Sequence, residues 1–236
     1  MRRRLPILGL LLAGVAITAM PAAAQNAPSQ AQVYDPQPPP DSAYVRFVNG
    51  LGEEVAVRPG FMPPLRLGTG TQDRVTPYSV AEKVGTRELT IEASAQGRNA
   101  RITLRAASGS FNTVLLHRAP DGSITGTPVV DLADFNRARA KLSFYNLAPN
   151  CGTASLQIAP PGPSVFDQVA FGTAKSRSVN PVTAQLLAGC GEGASAPNFP
   201  LENTEAGGMY SIWLMRPDGQ ALTSFVTRDT TTPWRR

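Results

Sequence analysis

Apolar and polar residues alternate with a period of two along most of this chain, and runs rich in glycine, proline and asparagine separate the alternating segments. This pattern is typical of short β-strands that bury one face and leave the other in water. No segment sustains the 3.6-residue period of an amphipathic helix. We therefore predict an all-β protein. The strands predicted in the first half are residues 44–48, 54–58, 89–93, 100–105, 111–116 and 124–130.

An internal repeat divides the alternating region into two halves. Residues 44–51 resemble residues 141–147, and the Arg-Ala-Pro-Asp-Gly turn at 118–122 resembles the Arg-Pro-Asp-Gly turn at 216–219. Asp-Gly between two apolar runs favours a tight hairpin, because glycine accepts the positive φ angle that such turns require. The length of the repeated unit predicts two tandem small antiparallel β-sandwich domains after a cleaved signal peptide.

The chain is divided by these patterns into five segments. A signal peptide precedes a lead-in rich in proline, and a short linker joins the two sandwiches. The linker falls within residues 131–140, the best helical candidate of the chain. The predicted boundaries are 1–24 for the signal peptide, 25–42 for the lead-in, 43–131 for the N-terminal domain, 132–139 for the linker and 140–236 for the C-terminal domain.

The N-terminus has the features of a cleaved export signal. Three arginines at positions 2–4 precede an apolar stretch at 5–20, and three alanines at 22–24 supply the small side chains that signal peptidase requires. We predict cleavage after Ala24 and a periplasmic protein; a retained membrane anchor is the alternative. Removal of residues 1–24 lowers the formal net charge from +5 to +2. The basic residues that remain are scattered, so no nucleic-acid partner is indicated.

Catalytic chemistry has few candidates in this sequence. His117 is the only histidine and therefore the only candidate base for a Ser-His-Asp site; its place just before the Asp121-Gly122 turn predicts a surface position at a strand end. The Gly-x-Ser-x-Gly motif of many hydrolases is absent. One histidine and two distant cysteines do not supply the usual zinc ligands. We predict that the protein is not an enzyme and needs no cofactor or metal ion.

The two cysteines, Cys151 and Cys190, both lie in the second copy of the repeat. An oxidising compartment favours a disulfide between them; free thiols or a redox pair are the alternative. The aromatic residues in the strands are expected to pack in the interior. Tyr34 and Trp234 lie in turn-rich or terminal stretches, and we predict that these two contact a partner.

Three short segments carry a resemblance to a known family. They are residues 33–36 (Val-Tyr-Asp-Pro) together with 42–49, residues 140–147, and residues 176–182 with their Val-Asn-Pro-Val stretch. In these segments the chain resembles the AlgF family, the periplasmic accessory proteins of bacterial alginate O-acetylation. The two cysteines and the stretch from 190 to 201 depart from that resemblance.

The resemblance implies a non-catalytic periplasmic adaptor required for O-acetylation of alginate or a related exopolysaccharide. Its partners would be a membrane acyltransferase and periplasmic acetyltransferases, with the polysaccharide itself as a further candidate. Two alternatives follow from the β-sandwich prediction alone: an exopolysaccharide-binding module, or a structural protein of the cell envelope.

Overall fold

The structure is a computed structural model that describes residues 39–132, 136–191, 193–218 and 220–234. These residues form seventeen β-strands and contain no helix, so the all-β prediction is confirmed. The strands of the first half are β1 Ser42–Asn49, β2 Val55–Pro59, β3 Leu65–Leu67, β4 Ser79–Glu82, β5 Leu89–Ala95, β6 Arg98–Leu104, β7 Phe111–Arg118 and β8 Ile124–Asp131. Those of the second half are β9 Ala140–Leu147, β10 Thr153–Ile158, β11 Ser164–Ala170, β12 Ala174–Val179, β13 Ala184–Cys190, β14 Ala194–Ser195, β15 Phe199–Leu201, β16 Met209–Met215 and β17 Thr223–Arg228.

The first half is a sandwich of two sheets. One sheet has the order β4-β1-β7-β8 and the other β3-β2-β5-β6. Val45 and Phe47 of β1 face Val57 and Ile91 of the second sheet in one core cluster, and none of the four is exposed to solvent. Val45 and Phe47 are two residues apart along β1, as a buried sheet face requires.

The second half repeats this arrangement strand for strand. Its sheets have the orders β12-β9-β16-β17 and β11-β10-β13-β14, and β15 also pairs with β13. Leu142, Phe144 and Ile212 contribute to its separate core. The prediction of two tandem β-sandwiches is confirmed, and both belong to one compact unit, Asp35–Arg236.

Three details differ from the sequence-based predictions. β1 pairs with β7, and β9 with β16, in parallel, so each sandwich contains one parallel pair in an otherwise antiparallel arrangement. Strands β3 and β4 were not predicted, because three or four residues are too few to show alternation. The described residues of the 131–140 segment are strand, turn and irregular chain, so the helical interpretation is wrong there.

The inner sheets of the two sandwiches, β4-β1-β7-β8 and β12-β9-β16-β17, pack against each other. Leu115 of β7, Leu147 of β9 and Trp213 of β16 belong to a third apolar cluster that joins the two halves. Strands β1, β7, β9 and β16 therefore bury both faces. This double burial explains why all eight residues of β9 are buried.

Arg46 lies in this interface and is almost wholly buried, at 1 % exposure. Its Nη1 donates to Asp229 Oδ1 at 2.6 Å, and its Nε donates to Thr113 Oγ1 at 2.8 Å. Its Nη2 donates to Tyr145 OH and Ser211 Oγ, both at 2.9 Å. A buried guanidinium costs little only when its donors are satisfied and a carboxylate is near, and Arg46 meets both conditions.

A second carboxylate completes this network. Asp131 accepts from Tyr145 OH at 2.5 Å, from Thr113 Oγ1 at 2.6 Å and from Tyr78 OH at 2.8 Å. Burial would lower the pKa of Arg46, but Asp229 and the other neighbouring groups outweigh it and hold that pKa above its ordinary value. Burial raises the pKa of Tyr78 and of Tyr145, against the opposing effect of the cation.

The asparagine that ends the first strand of each repeat has a structural role. Asn49 Nδ2 donates to the carbonyl oxygens of Glu53 and Gly68, both at 2.8 Å, and its Oδ1 accepts from Leu51 N–H at 2.9 Å. Asn146 does the same in the second repeat, with Cys151 O, Val169 O and Ala148 N–H. Each side chain satisfies buried backbone groups where the chain leaves the inner sheet. The repeated asparagine is therefore a feature of the fold.

Cys151 and Cys190 form a disulfide, as predicted. The bond connects the segment before β10 to the last residue of β13, and these two strands are neighbours in the outer sheet.

The predicted signal peptide, most of the lead-in and Tyr34 lie outside the described residues. Within the described part of the chain, no helix is long and apolar enough to cross a membrane.

Candidate functional site

The repeated turns that begin at Arg118 and at Arg216 meet at one end of the interface. In the first repeat the turn joins β7 to β8 as a hairpin, and Gly122 adopts the positive φ angle of +79° that the sequence predicted. Arg118 Nε donates to Asp218 Oδ2 of the other turn at 3.0 Å. Its Nη2 forms an ion pair with Glu53, which is only 14 % exposed. One arginine therefore uses carboxylates from both repeats.

An open cleft of about 570 Å³ lies between the two turns, and we call it the junction cleft. Its walls combine proline and phenylalanine side chains with polar and charged groups, a mixture typical of ligand sites. It is lined by His117, Arg118, Ala119, Pro120, Pro149, Asn150, Phe171, Arg216, Pro217 and Asp218.

His117 lines this cleft but is only 8 % exposed, so the expectation of a surface position is wrong. It lies on the face of β7 that meets the other sandwich. Its Nδ1 is 3.0 Å from Arg118 O, an acceptor, so Nδ1 carries the proton and donates. Its Nε2 is within hydrogen-bond distance of Thr127 Oγ1, at 2.8 Å. Both ring nitrogens are thus engaged by groups that hold the imidazole in place.

The His117 ring supports the apolar wall of the cleft. Its centroid is 5.1 Å from that of Phe171, and the two rings meet edge to face at 84°. Phe171 lies in the turn between β11 and β12 and is partly exposed. The imidazole therefore positions an aromatic face that is open to the cleft.

Arg216 is the counterpart of Arg118 in the second repeat, but its surroundings differ. The loop after Asn49 contains Glu53, which pairs with Arg118. The loop after Asn146, residues 147–152, has no acidic residue, and Asn150 is the residue that lines the cleft there. None of the described residues forms a hydrogen bond or an ion pair with the Arg216 side chain. Within the described part of the chain, it is therefore the arginine of the cleft that has no carboxylate partner.

Asp121, the counterpart of Asp218, does not reach across to Arg216. Its Oδ1 accepts from the Ser123 hydroxyl at 2.6 Å and from Ser123 N–H at 2.9 Å. The bond from the Ser123 hydroxyl is the main reason that the pKa of Asp121 lies below its usual value. The two turns are therefore similar in sequence but unequal in charge pairing.

The other aromatic residues considered in the sequence analysis lie outside the junction cleft. Trp234 is partly buried away from the junction cleft, and its Nε1 donates to Glu82 Oε1 at 2.8 Å. Tyr145 and Trp213 stack on each other inside the interface, with ring centroids 4.2 Å apart, as expected for packed aromatics. No group of three or more metal-binding side chains occurs in the parts of the chain that the structure describes.

Comparisons with known proteins leave the function open. No family model matches the chain, and no curated protein matches it either. Several solved structures match, among them the crystal structure of CBMbc, a member of family CBM26 from Eubacterium rectale Amy13K, in complex with maltoheptaose. That match has 12 % identity and a TM-score of 0.25, and covers 82 % of this chain and 100 % of the other. At this TM-score the likeness supports no conclusion about function.

Proposed function

We propose that this protein binds an acidic exopolysaccharide at the junction cleft and does not modify it. The observation that carries the proposal is the contrast between the two repeated arginines. Arg118 is neutralised by Glu53 and Asp218, whereas Arg216 has an asparagine in the same cleft and no carboxylate partner among the residues that the structure describes. A ligand carboxylate would supply the partner that the second repeat does not encode.

A uronic acid residue fits the other groups of the cleft. Its carboxylate can accept two parallel hydrogen bonds from a guanidinium, and this is the strongest polar contact that arginine makes. The C–H face of its ring is apolar and can pack on the Phe171 side chain. Asn150 is exposed and offers both a donor and an acceptor to sugar hydroxyls. Because the cleft is open, it can admit a sugar unit from the middle of a polysaccharide as well as one at its end.

The residues of the junction cleft are proposed to bind the polysaccharide and not to catalyse a reaction on it. A general base needs a ring nitrogen that can reach the substrate proton. Both nitrogens of His117 already have partners, and neither partner is a catalytic serine or a carboxylate. We therefore assign His117 the positioning of Phe171.

Isothermal titration calorimetry tests this proposal. Oligomannuronate and oligoguluronate are expected to bind the full chain, whereas neutral maltoheptaose is not. Arg216→Ala should weaken binding by roughly 10- to 100-fold, the loss of about 1.5–3 kcal/mol expected for a charge-assisted contact. Arg177→Ala, which removes the same charge from an exposed position of β12, is the matched control. Equal binding by Arg216→Ala and wild type would overturn the proposal.

A second candidate is the adaptor role in exopolysaccharide O-acetylation that the AlgF resemblance implies. It is favoured by the outer edge of β8, which no described strand covers. Val130 and Leu132 at this edge are 66 % and 69 % exposed. An uncovered edge with apolar side chains can accept a strand from a partner protein. The partners would be the membrane acyltransferase and the periplasmic acetyltransferases of such a system.

The acetyl-ester content of secreted polysaccharide, measured by proton NMR, tests the adaptor role. Cells without the gene should make polymer at normal yield but without acetyl groups, and Val130→Asp should reproduce this loss. Arg216→Ala should leave acetylation intact if the edge alone serves the partners. Normal acetylation without the gene would exclude the adaptor role.

A further inference from the structure

The C-terminal segment of the second sandwich lies across the first. After β17, Thr230 O accepts from Tyr78 N–H, and Thr232 N–H donates to Tyr78 O, both at 2.8 Å. Asp229, just before this segment, is bound to the buried Arg46. The segment is thus tied by two backbone hydrogen bonds to Tyr78, the residue just before β4, and it carries Trp234 to the surface of the other repeat.

Trp234 is held there by a polar contact. Its indole Nε1 donates to Glu82 Oε1 at 2.8 Å, and the residue remains partly exposed. A tryptophan that served only as an apolar anchor would be expected to be fully buried. Trp213 is an example, since 0 % of its surface is exposed to solvent. The bond to Glu82 fixes the indole while leaving part of the side chain in contact with solvent.

A cleft of about 470 Å³, which we call the tail cleft, opens beside this indole. Its aromatic members are Phe61 and Trp234, and its cationic members are Lys83 and Arg87. Glu82 is the acid in its lining, and its Oε1 is used by Trp234. The cleft therefore combines aromatic surface with two positive charges and one acid that already has a partner.

We propose that the tail cleft is a second binding site for the acidic polysaccharide. Trp234 would lie against a sugar ring, while Lys83 or Arg87 would bind its carboxylate. Aromatic side chains bring a large apolar surface at low entropic cost. The two neighbouring cations, Lys83 and Arg87, favour a negatively charged ligand. The choice of an acidic sugar rests on the proposed function; the existence of the site rests on the residues around Trp234.

Tryptophan fluorescence provides a direct measurement, because the chain has two tryptophans and the other is fully buried. Trp213 is further held by its own bond from Nε1 to Thr227 Oγ1 at 2.8 Å. Titration with oligomannuronate should change the emission of Trp234, while maltoheptaose should not. The residual emission of Trp234→Phe should stay constant through the same titration.

Two variants separate this site from the junction cleft. The double variant Lys83→Ala/Arg87→Ala keeps the reporter, and its apparent affinity by fluorescence should fall by roughly tenfold or more. Arg216→Ala should leave the fluorescence titration unchanged while it removes part of the calorimetric binding. Arg177→Ala again serves as the control for lost charge, and thermal melts confirm that each variant is folded.

The outcomes are distinguishable. Calorimetric binding with no change in Trp234 emission would overturn the tail cleft and leave the junction cleft intact. A change in emission that survives in the double variant would also overturn the assignment of its cations. A change in emission that is lost in the double variant, with no effect of Arg216→Ala on calorimetry, would support the tail cleft and remove the junction cleft.

Discussion

Asp131 and Asp229 occupy equivalent positions at the ends of the two repeats, and both carboxylates lie around the buried guanidinium of Arg46. Asp229 bonds to it directly, and Asp131 is connected to it through Thr113 and Tyr145. The position equivalent to Arg46 in the second repeat holds Ser143, so the acids are duplicated and the cation is not. The charged network around Arg46 is therefore asymmetric, although the strands that carry it are repeated.

Replacement of Arg46 by alanine should be among the most destabilising changes in the interface. It would leave Asp229 buried without its cation and remove three further hydrogen-bonded contacts. Removal of one partner of a buried ion pair costs about 3–5 kcal/mol. Urea denaturation should show this loss in the free energy of unfolding. Arg177→Ala, on the exposed side of β12, should cost less than about 0.5 kcal/mol; similar costs for the two variants would contradict the role given to Arg46.

Alkaline pH should weaken the fold through Tyr78 and Tyr145. Burial raises the pKa of both phenols in the folded state, whereas in the unfolded chain they titrate near 10. Above about pH 10 the unfolded state therefore binds fewer protons than the folded state, and stability falls as the pH rises. Below that pH their contribution is constant.

Thermal melts between about pH 8 and 11 test this expectation. The two tyrosines together predict a loss of about 2.7 kcal/mol for each pH unit above 10. Tyr78→Phe should halve this slope, since the variant has lost one of the two titrating groups. A flat profile up to pH 11 would contradict the prediction.

Arg46 also shows where the sequence was misleading. The alternation of the predicted strands indicated one buried and one solvated face, and Arg46 lies between the apolar residues Val45 and Phe47. The structure buries both faces, because the second sandwich covers the side that would meet water. Nothing local to β1 indicates this contact. The strands, the repeat and the hairpin at Gly122 could be predicted because they depend on neighbouring residues, whereas the packing of one repeat on the other does not.

The junction cleft illustrates the same limit. The sequence identifies the turns at Arg118 and Arg216 as copies of each other, but the contact between them depends on how the inner sheets face each other. Phe171 carried no signal, since a lone aromatic in a turn resembles many others. The absence of acids from residues 147–152 was visible in the sequence. Its consequence for Arg216 depends on the ion pair between Arg118 and Glu53, which is a contact of the folded chain.

Loss of the disulfide should destabilise the second sandwich more than the first. The bond between Cys151 and Cys190 spans 39 residues, and a closed loop of this length contributes about 4 kcal/mol in the chain-entropy account. Cys151→Ala/Cys190→Ala should therefore expose amides of β10 and β13 to faster hydrogen exchange than those of β2 and β5. Uniform acceleration across both sandwiches would instead mean that the two unfold as a single unit.

One isosteric substitution, Asn150→Asp, should give Arg216 an acidic neighbour of the kind that Arg118 already has. Asn150→Asp places a carboxylate in the loop that lacks one, beside the cleft that contains Arg216. Asn150 has a φ angle of +61°, which asparagine and aspartate tolerate better than other side chains. The new charge should compete with an acidic sugar for the arginine. We expect the affinity for oligomannuronate to fall about fivefold, a cost of about 1 kcal/mol typical of a solvent-exposed ion pair.

The chain offers a close control for this experiment. Asn203 is also exposed and also has a positive φ angle, +48°, but it does not line the junction cleft. Asn203→Asp adds the same charge at a comparable backbone position, so it reports any general effect of net charge on polyanion binding. If both variants weaken binding equally, the loss comes from overall charge and Arg216 is not the group that meets the ligand. A second outcome is that only Asn150→Asp weakens binding and that added salt reduces the difference in affinity between this variant and the wild type. In that case Arg216 binds the ligand, and the ligand supplies its acidic partner.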